Sequence, residues 1–437
     1  MAFRRLAAAT LTAWLSAIAP AFAVTEIQWW HAMPGELGRE VERLASDFNA
    51  SQSEYKIIPT YKGLYTETMT AAMFALRSQQ HPAILQTAEI ATATMMTAKG
   101  VIVPVHQLMR EQNVEFTPSA YLPTIASYYA DASGNLLSFP FNSSTPILYY
   151  NKDQFRLAGL DPDAPLATWP QVEAAARKLR EKGIACGITT AWPAWIHIEN
   201  FSALHNVPIA TQENGIGGLG AQLQINNLAV TGHIATLADW QKAQIFDYSG
   251  RTNDAERRFY SSECGILISS SAARADIIAN AKFEIGYGML PYWPNVPGAP
   301  QNSIIGGGSL WVLQGRPDAE YKGVARFFAF LSRPDVQASW HQWTGYLPAT
   351  QAAYEQTRAL GFYDRNPGTD ISIKQITLNP PTDNSKGLRL GSYVIVRDVI
   401  QEELEAALSG RKAAKTALDD AVRRGNDILR QFEKANP

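Results

Sequence analysis

The sequence predicts an α/β protein of two lobes, and three observations carry that prediction. The chain has 437 residues, about three times the ~150 that usually correspond to one domain. From Val24 onward, segments with strand-like and helix-like patterns alternate, as in proteins that layer helices on a sheet. That rhythm breaks at 104–135 and again at 291–308, in stretches rich in Pro, Gly, Asn or Tyr where a chain can pass from one lobe to the other.

The first lobe opens on a strand at 25–30. Val41, Leu44, Ala45 and Phe48 follow at i, i+3, i+4 and i+7, the spacing that lays one helix face on a sheet. A second strand is expected at 55–61, an Ala-, Met- and Leu-rich helix at 66–78, a third strand at 83–87 and a helix at 89–98. Strand-to-helix units in series imply a largely parallel sheet. Two apolar runs within 136–150, separated by Asn142-Ser143-Ser144, mark the first crossing. Thr168-Trp169-Pro170-Gln171 then opens a helix. Thr168 can cap it, Gln171 can complete a capping box, and Val172, Ala176 and Leu179 form its buried stripe. A strand is expected at 309–313. Val399, Ile400, Leu404 and Leu408 share one helix face that stops at Gly410, and a last helix is expected at 416–434. The lobes are expected to comprise 24–138 plus 303–345, and 139–302 plus 346–437.

Composition excludes several classes. Charged residues make up 18% of the chain and aromatic residues 10%, which suits a packed globular protein rather than a disordered one. A formal net charge of −2 gives no footprint for nucleic acid. Residues 1–23 read as an export signal that is removed: Arg4-Arg5, an apolar run, then Ala21-Phe22-Ala23 in the small-x-small form that a signal peptidase cleaves. The apolar run of about fourteen residues is short of the ~20 that span a bilayer. The exported protein is expected to start at Val24 and to reside outside the cytoplasm. Only Cys186 and Cys264 are present, too few for a disulfide scaffold or a four-cysteine zinc site. An oxidising compartment permits a bond between them, but isolated cysteines in apolar strings are more often buried thiols, and buried thiols are the expectation here.

Nothing in the sequence argues for catalysis. His-Glu-x-x-His and Gly-x-Ser-x-Gly are absent, and Ser53-Glu54-Tyr55-Lys56 lacks the companion motifs that would make it a nucleophile. His197, Glu199 and His205 form the nearest approach to a metal set, but their spacing shares no face, so they read as hydrogen-bonding histidines. Gly215-Ile216-Gly217-Gly218-Leu219-Gly220 matches a dinucleotide pattern, yet Thr211-Gln212-Glu213-Asn214 before it is no strand, so a surface turn is expected. No cofactor or metal is called for. Binding has more support: Tyr65, Glu89, Ser144 and Ser270 lie at segment ends, where α/β folds place ligand groups, and Gly306-Gly307-Gly308 offers a bare backbone.

Tyr150-Asn151-Lys152-Asp153, Ala158-Gly159-Leu160 and Thr168-Trp169-Pro170 resemble the crossover segment of the family 1 extracellular solute-binding proteins, the maltose-binding group that serves ABC importers. Trp29-Trp30-His31, Gly63-Leu64-Tyr65-Thr66, Gly306-Gly307-Gly308-Ser309-Leu310-Trp311, Gly345-Tyr346-Leu347-Pro348-Ala349 and Ser409-Gly410-Arg411 resemble its glycerol-phosphate-binding members. The resemblance implies a two-lobed periplasmic binding protein with a hinge and a central cleft, monomeric, delivering its ligand to permease subunits driven by a cytoplasmic ATPase. It implies sn-glycerol 3-phosphate and glycerophosphodiesters such as glycerophosphocholine as ligands. Carried over residue by residue, the ligand set is Tyr65, Glu89, Ser144, Ser270, Gly307, Tyr346 and Arg397, with Trp169 as the stacking face. An oligosaccharide ligand, and a secreted phosphodiesterase, are the alternatives. A phosphate needs donors that survive desolvation, so the Arg397 guanidinium, the hydroxyls of Ser144, Ser270 and Tyr346, and the Gly307 amide suit one end. Glu89 and Tyr65 suit glycerol hydroxyls at the other.

Overall fold

The structure is a computed structural model describing residues 24–164 and 166–436; the export segment expected at 1–23 lies outside the described residues. In chain order the strands are β1 (Thr25–His31), β2 (Tyr55–Tyr61), β3 (Ile84–Ala88), β4 (Ile102–Val103), β5 (Phe139–Ser144), β6 (Pro146–Asn151), β7 (Cys186–Thr190), β8 (Phe246–Tyr248), β9 (Cys264–Ser270), β10 (Ile285–Met289) and β11 (Gly306–Leu313). They form two sheets, one ordered β2-β1-β3-β11-β4 with β5 also on β11, the other β10-β6-β9-β7-β8.

Helices cover the sheets through the stripes expected of them. In the helix Gly35–Ser51, Val41, Leu44, Ala45 and Phe48 are the buried residues. The helix Trp169–Glu181 begins in a Thr168–Gln171 capping box and buries Val172, Ala176 and Leu179. The helix Tyr393–Leu408 ends at Gly410, whose φ of 74° only glycine adopts without strain.

Three expectations need correction. The sheets are mixed rather than largely parallel: β1 runs parallel to β2 and β3, but β11 is antiparallel to β3, β4 and β5, and β6 is antiparallel to β9 and β10. Strand direction around β5, β6 and β11 is set by pairing across large sequence separations, which local periodicity does not encode. Second, Cys186 and Cys264 are disulfide-bonded, not free thiols. Parallel strands β7 and β9 put the two cysteines directly opposite one another in register. Third, Trp169 is a core residue rather than a cleft residue.

Strand β5, which the sequence places beyond the boundary at 138, pairs with β11, so the chain passes between the sheets at Thr145. Tyr346, Leu347, Ala349, Ile373 and Ile376 pack in the same core as Trp29, Phe48 and Phe327 of the first sheet's layer. A second core surrounds the other sheet. The Gly215–Gly220 pattern forms a turn with Gly215, Gly218 and Gly220 at positive φ. Between the two sheets, strand ends and loops from both converge.

Candidate functional site

Seven of the eight residues expected to bind ligand line one cavity of about 100 Å³: Tyr65, Glu89, Ser144, Ser270, Gly307, Tyr346 and Arg397. Their positions follow from the topology. Glu89 begins the turn directly after β3, Ser144 ends β5, Ser270 ends β9, and Tyr65 is the first residue of the helix Tyr65–Arg77. Strand ends meet in the crevice because sheet hydrogen bonding stops there and polar groups can turn inward. Tyr346 follows Gly345 at the end of the helix Pro334–Thr344, and its ring stacks on Trp340 with centroids 5.7 Å apart.

Gly307 has φ +99°, and a Cβ there would lie 1.8 Å from the Asn142 carbonyl oxygen. Any side chain would force β5 and β11 apart, so the close approach of backbone to cavity depends on glycine. A chain of amides fixes Tyr65: Ala32 N–H donates to Gln86 Oε1 at 2.7 Å, Gln86 Nε2 to Asn142 Oδ1 at 2.8 Å, and Asn142 Nδ2 to the Tyr65 hydroxyl at 2.8 Å. Tyr65 therefore accepts from the protein and keeps its own O–H to donate.

Arg397 is not a free cation. Its Nε and Nη2 donate to the two oxygens of Glu199 at 2.8 and 2.6 Å, and Nη2 also reaches Glu89 Oε1 at 2.7 Å. Nη1 has no protein partner among the described residues. Burial works against the guanidinium charge, but the Glu199 and Glu89 carboxylates outweigh it and hold the group above its usual value. Burial also pushes the Glu89 carboxyl up, against the pull of Arg397. Glu89 comes from the end of β3 and Arg397 from the helix Tyr393–Leu408, so this pair ties the two halves together. The consequence for ligand chemistry is direct: two acids already meet the one cation, and neutral donors must carry more of any phosphate recognition than the sequence suggested.

Trp169 does not reach the cavity. It is 1% exposed and belongs to a core cluster with His197, His233, Trp240 and Trp293. A helix-start tryptophan on the side of Val172 and Ala176 is carried into the core by the same stripe that packs the helix. The cavity is faced instead by Trp192 and Trp195, in the segment that follows β7. Trp192 has φ 47°, unusual for a bulky residue, and such strained positions cluster where a side chain is aimed for function. Trp195 opens a π-helical turn, Trp195–Asn200, that also carries Glu199. The sequence signal for these two faces is the Trp192-Pro193-Ala194-Trp195 run immediately after a strand. Glu256 and Asp276 also border the cavity. Trp192, Trp195 and Arg397 border a second cavity of about 120 Å³, shared with Arg251 and Asp398.

His197, His205 and His233 are all buried and form no metal set; among the described residues no cluster of three or more His, Cys, Asp or Glu could hold a metal ion. His205 Nε2 accepts from Trp293 N–H, and His233 Nδ1 accepts from Trp293 Nε1.

Polar groups that converge from two halves of a double-sheet α/β chain on one interior cleft are the arrangement of a solute-binding architecture. Comparison with known proteins gives the family. The family model of bacterial extracellular solute-binding proteins matches residues 43–367. The sn-glycerol-3-phosphate-binding periplasmic protein UgpB of Yersinia pseudotuberculosis is 49% identical over 419 residues, 96% of this chain and 95% of that protein. The protein of the same name from Salmonella typhimurium is 49% identical over 417 residues, 95% of each chain. Among solved structures, UgpB from Mycobacterium tuberculosis in complex with glycerophosphocholine superposes with a TM-score of 0.78 at 18% identity, covering 94% of this chain and 99% of that one. Maltose-bound MalE3 of T. maritima gives 0.74 at 18% identity, covering 93% and 100%. The chain belongs to the bacterial extracellular solute-binding protein family, and its fold is the two-lobed one of the maltose-binding group.

Proposed function

We propose that this chain is the periplasmic binding component of an ABC importer, capturing sn-glycerol 3-phosphate and glycerophosphodiesters such as glycerophosphocholine. The observation that carries the reading is the cavity itself: Arg397, Ser144, Ser270, Tyr346 and Gly307, residues with guanidinium, hydroxyl or bare-backbone donors, line one space. A phosphate with several acceptor oxygens suits that donor set. Relatives 49% identical over nearly the whole chain carry the sn-glycerol-3-phosphate-binding name. Trp192 and Trp195 offer flat faces to a carbon backbone or a quaternary ammonium head, and the adjoining cavity gives such a head room.

Ligand bridging both halves stabilises the closed form, because only that form satisfies donors from each side. The membrane permease, driven by its ATPase, then receives the loaded protein. The protein acts as a monomer, outside the cytoplasm, after loss of residues 1–23. A neutral oligosaccharide is the second reading, favoured by the pairing of Arg397 with two carboxylates.

Thermal unfolding against glycerol 3-phosphate, glycerophosphocholine, phosphate and maltose tests the proposal. A ligand at 100 times its Kd adds about 2.7 kcal/mol of apparent stability. The two glycerol compounds should shift the transition and maltose should not; a shift with maltose alone would overturn the reading. Mass analysis of bound glycerophosphocholine after denaturation should return it intact, and released choline would point to a phosphodiesterase.

A further inference from the structure

We propose that Glu256 is a specificity-determining ligand contact that works as a neutral carboxylic acid, donating its O–H to the anionic ligand from the cavity wall. The inference rests on the reading of the cleft as a site for glycerol phosphates and adds a residue and a pH dependence to it.

Glu256 lies in the helix Asp254–Tyr260, is 6% exposed, and borders the cavity with Ser270 and Tyr346. Its Oε1 accepts from the Ser269 hydroxyl at 2.7 Å. Oε2 has no protein partner among the described residues. With Oε1 occupied by a donor, a proton on the group sits on Oε2, and Oε2 can then donate to the ligand.

No cation neutralises the group. On its own helix, Arg258 is turned to Asp247 and Glu263, and Arg257 is exposed. On the helix Arg274–Asn280, Arg274 donates to the Gln342 carbonyl at 2.7 Å. Strands β7 and β9, packed against it, carry no charged side chain. The charged groups that act on it are the acids Asp276 and Asp254, while the neutral hydroxyls of Tyr149 and Tyr346 lie close. Burial, only partly offset by the Ser269 hydrogen bond and reinforced by the two aspartates, pushes the carboxyl up to about 8. An ionised carboxylate at this place would repel a phosphate, whereas the protonated acid binds it. The same device leaves neutral sugars less affected.

Calorimetric titration with glycerophosphocholine from pH 6 to 9.5 tests this, because its phosphodiester does not titrate in that range. The wild type should bind evenly up to about pH 7 and lose affinity above pH 8, approaching tenfold per pH unit. Glu256→Gln keeps a neutral N–H donor, so it should bind within about threefold of wild type at pH 7 and show no loss at high pH. A flat wild-type profile would overturn the proposal. So would a Glu256→Gln protein that binds more than tenfold more weakly at pH 7 while melting normally, which would mean that an ionised carboxylate is needed. A variant that keeps the wild-type profile would place the proton elsewhere and overturn it too, with Asp276→Asn as the identifying control. Absence of binding by the wild type at every pH would instead fail the underlying reading of the cleft.

Discussion

Two tryptophan clusters in the second half of the molecule look alike in sequence and differ in what surrounds them. Around Trp169, the rings of His197, His233, Trp240 and Trp293 pack at centroid distances of 4.7 to 6.4 Å with no charged group among them. Around Trp195, the neighbours are a glycine strand, Arg397 and three acids bordering a cavity. The difference arises from position in the element. Trp169 sits on the apolar stripe of a long amphipathic helix and is swept into the core, while Trp192 lies in the turn just after a strand end and Trp195 opens the π-helical turn that follows, where the sheet's ladder stops. One cluster should govern stability and the other affinity.

The largest effect expected is from Trp169→Ala, which should cost about 3–5 kcal/mol of stability through loss of buried area and the cavity left behind. Denaturant unfolding measures it, and the folded fraction should bind ligand as before. Weakened binding at full stability would erase the contrast between the clusters.

Arg397→Ala should weaken binding of a phosphate ligand by roughly 2–5 kcal/mol, since Glu89 and Glu199 would then face the anion with no cation between them. Calorimetry reads this loss, and an unchanged Kd would favour the oligosaccharide reading.

The aromatic cluster also predicts a pH dependence. Burial pushes His197 down to about 3 and His205 to about 4, and lowers His233 as well. The unfolded chain therefore takes up protons first as the pH falls. The stability these rings contribute is present in full above about pH 6.5 and is lost as the pH falls through their folded values, at up to about 1.4 kcal/mol per pH unit per ring. Urea unfolding at pH 7 and pH 5 should show the decline, and His233→Gln should make it shallower, with the other buried histidines supplying the rest. Equal slopes in wild type and variant would remove the cluster from the account.

The smallest effect expected is from Trp192→Ala. The ring is only partly buried, so stability should change little, while affinity for glycerophosphocholine should fall by about 1 kcal/mol. An unaltered Kd would take this face out of the ligand contact.

Much of this was legible in the sequence because it is local. The stripe of Val41, Leu44, Ala45 and Phe48, the Thr168–Gln171 capping box and the stop at Gly410 each follow from a few adjacent residues. Tyr65, Glu89, Ser144 and Ser270 were legible because segment ends can be recognised, and segment ends are where the cavity lies. What stayed hidden depends on which distant strands become neighbours. The antiparallel placement of β11, the register that sets Cys186 opposite Cys264, and the reach of Glu199 to Arg397 across 198 positions have no local trace. Trp169 was misplaced because resemblance of a segment does not say which way a side chain points, whereas its neighbours Val172 and Ala176 did.

The central claim is that the cleft holds a glycerol phosphate between the two halves with Arg397 at one side. A crystal structure of the protein grown with sn-glycerol 3-phosphate tests it most directly. The account predicts the phosphate within hydrogen-bond distance of Arg397 Nη1, the Ser144, Ser270 and Tyr346 hydroxyls and the Gly307 amide, with Arg397 still held by Glu199. A cleft containing only water or sugar, with the guanidinium engaged solely by Glu89 and Glu199, would contradict it.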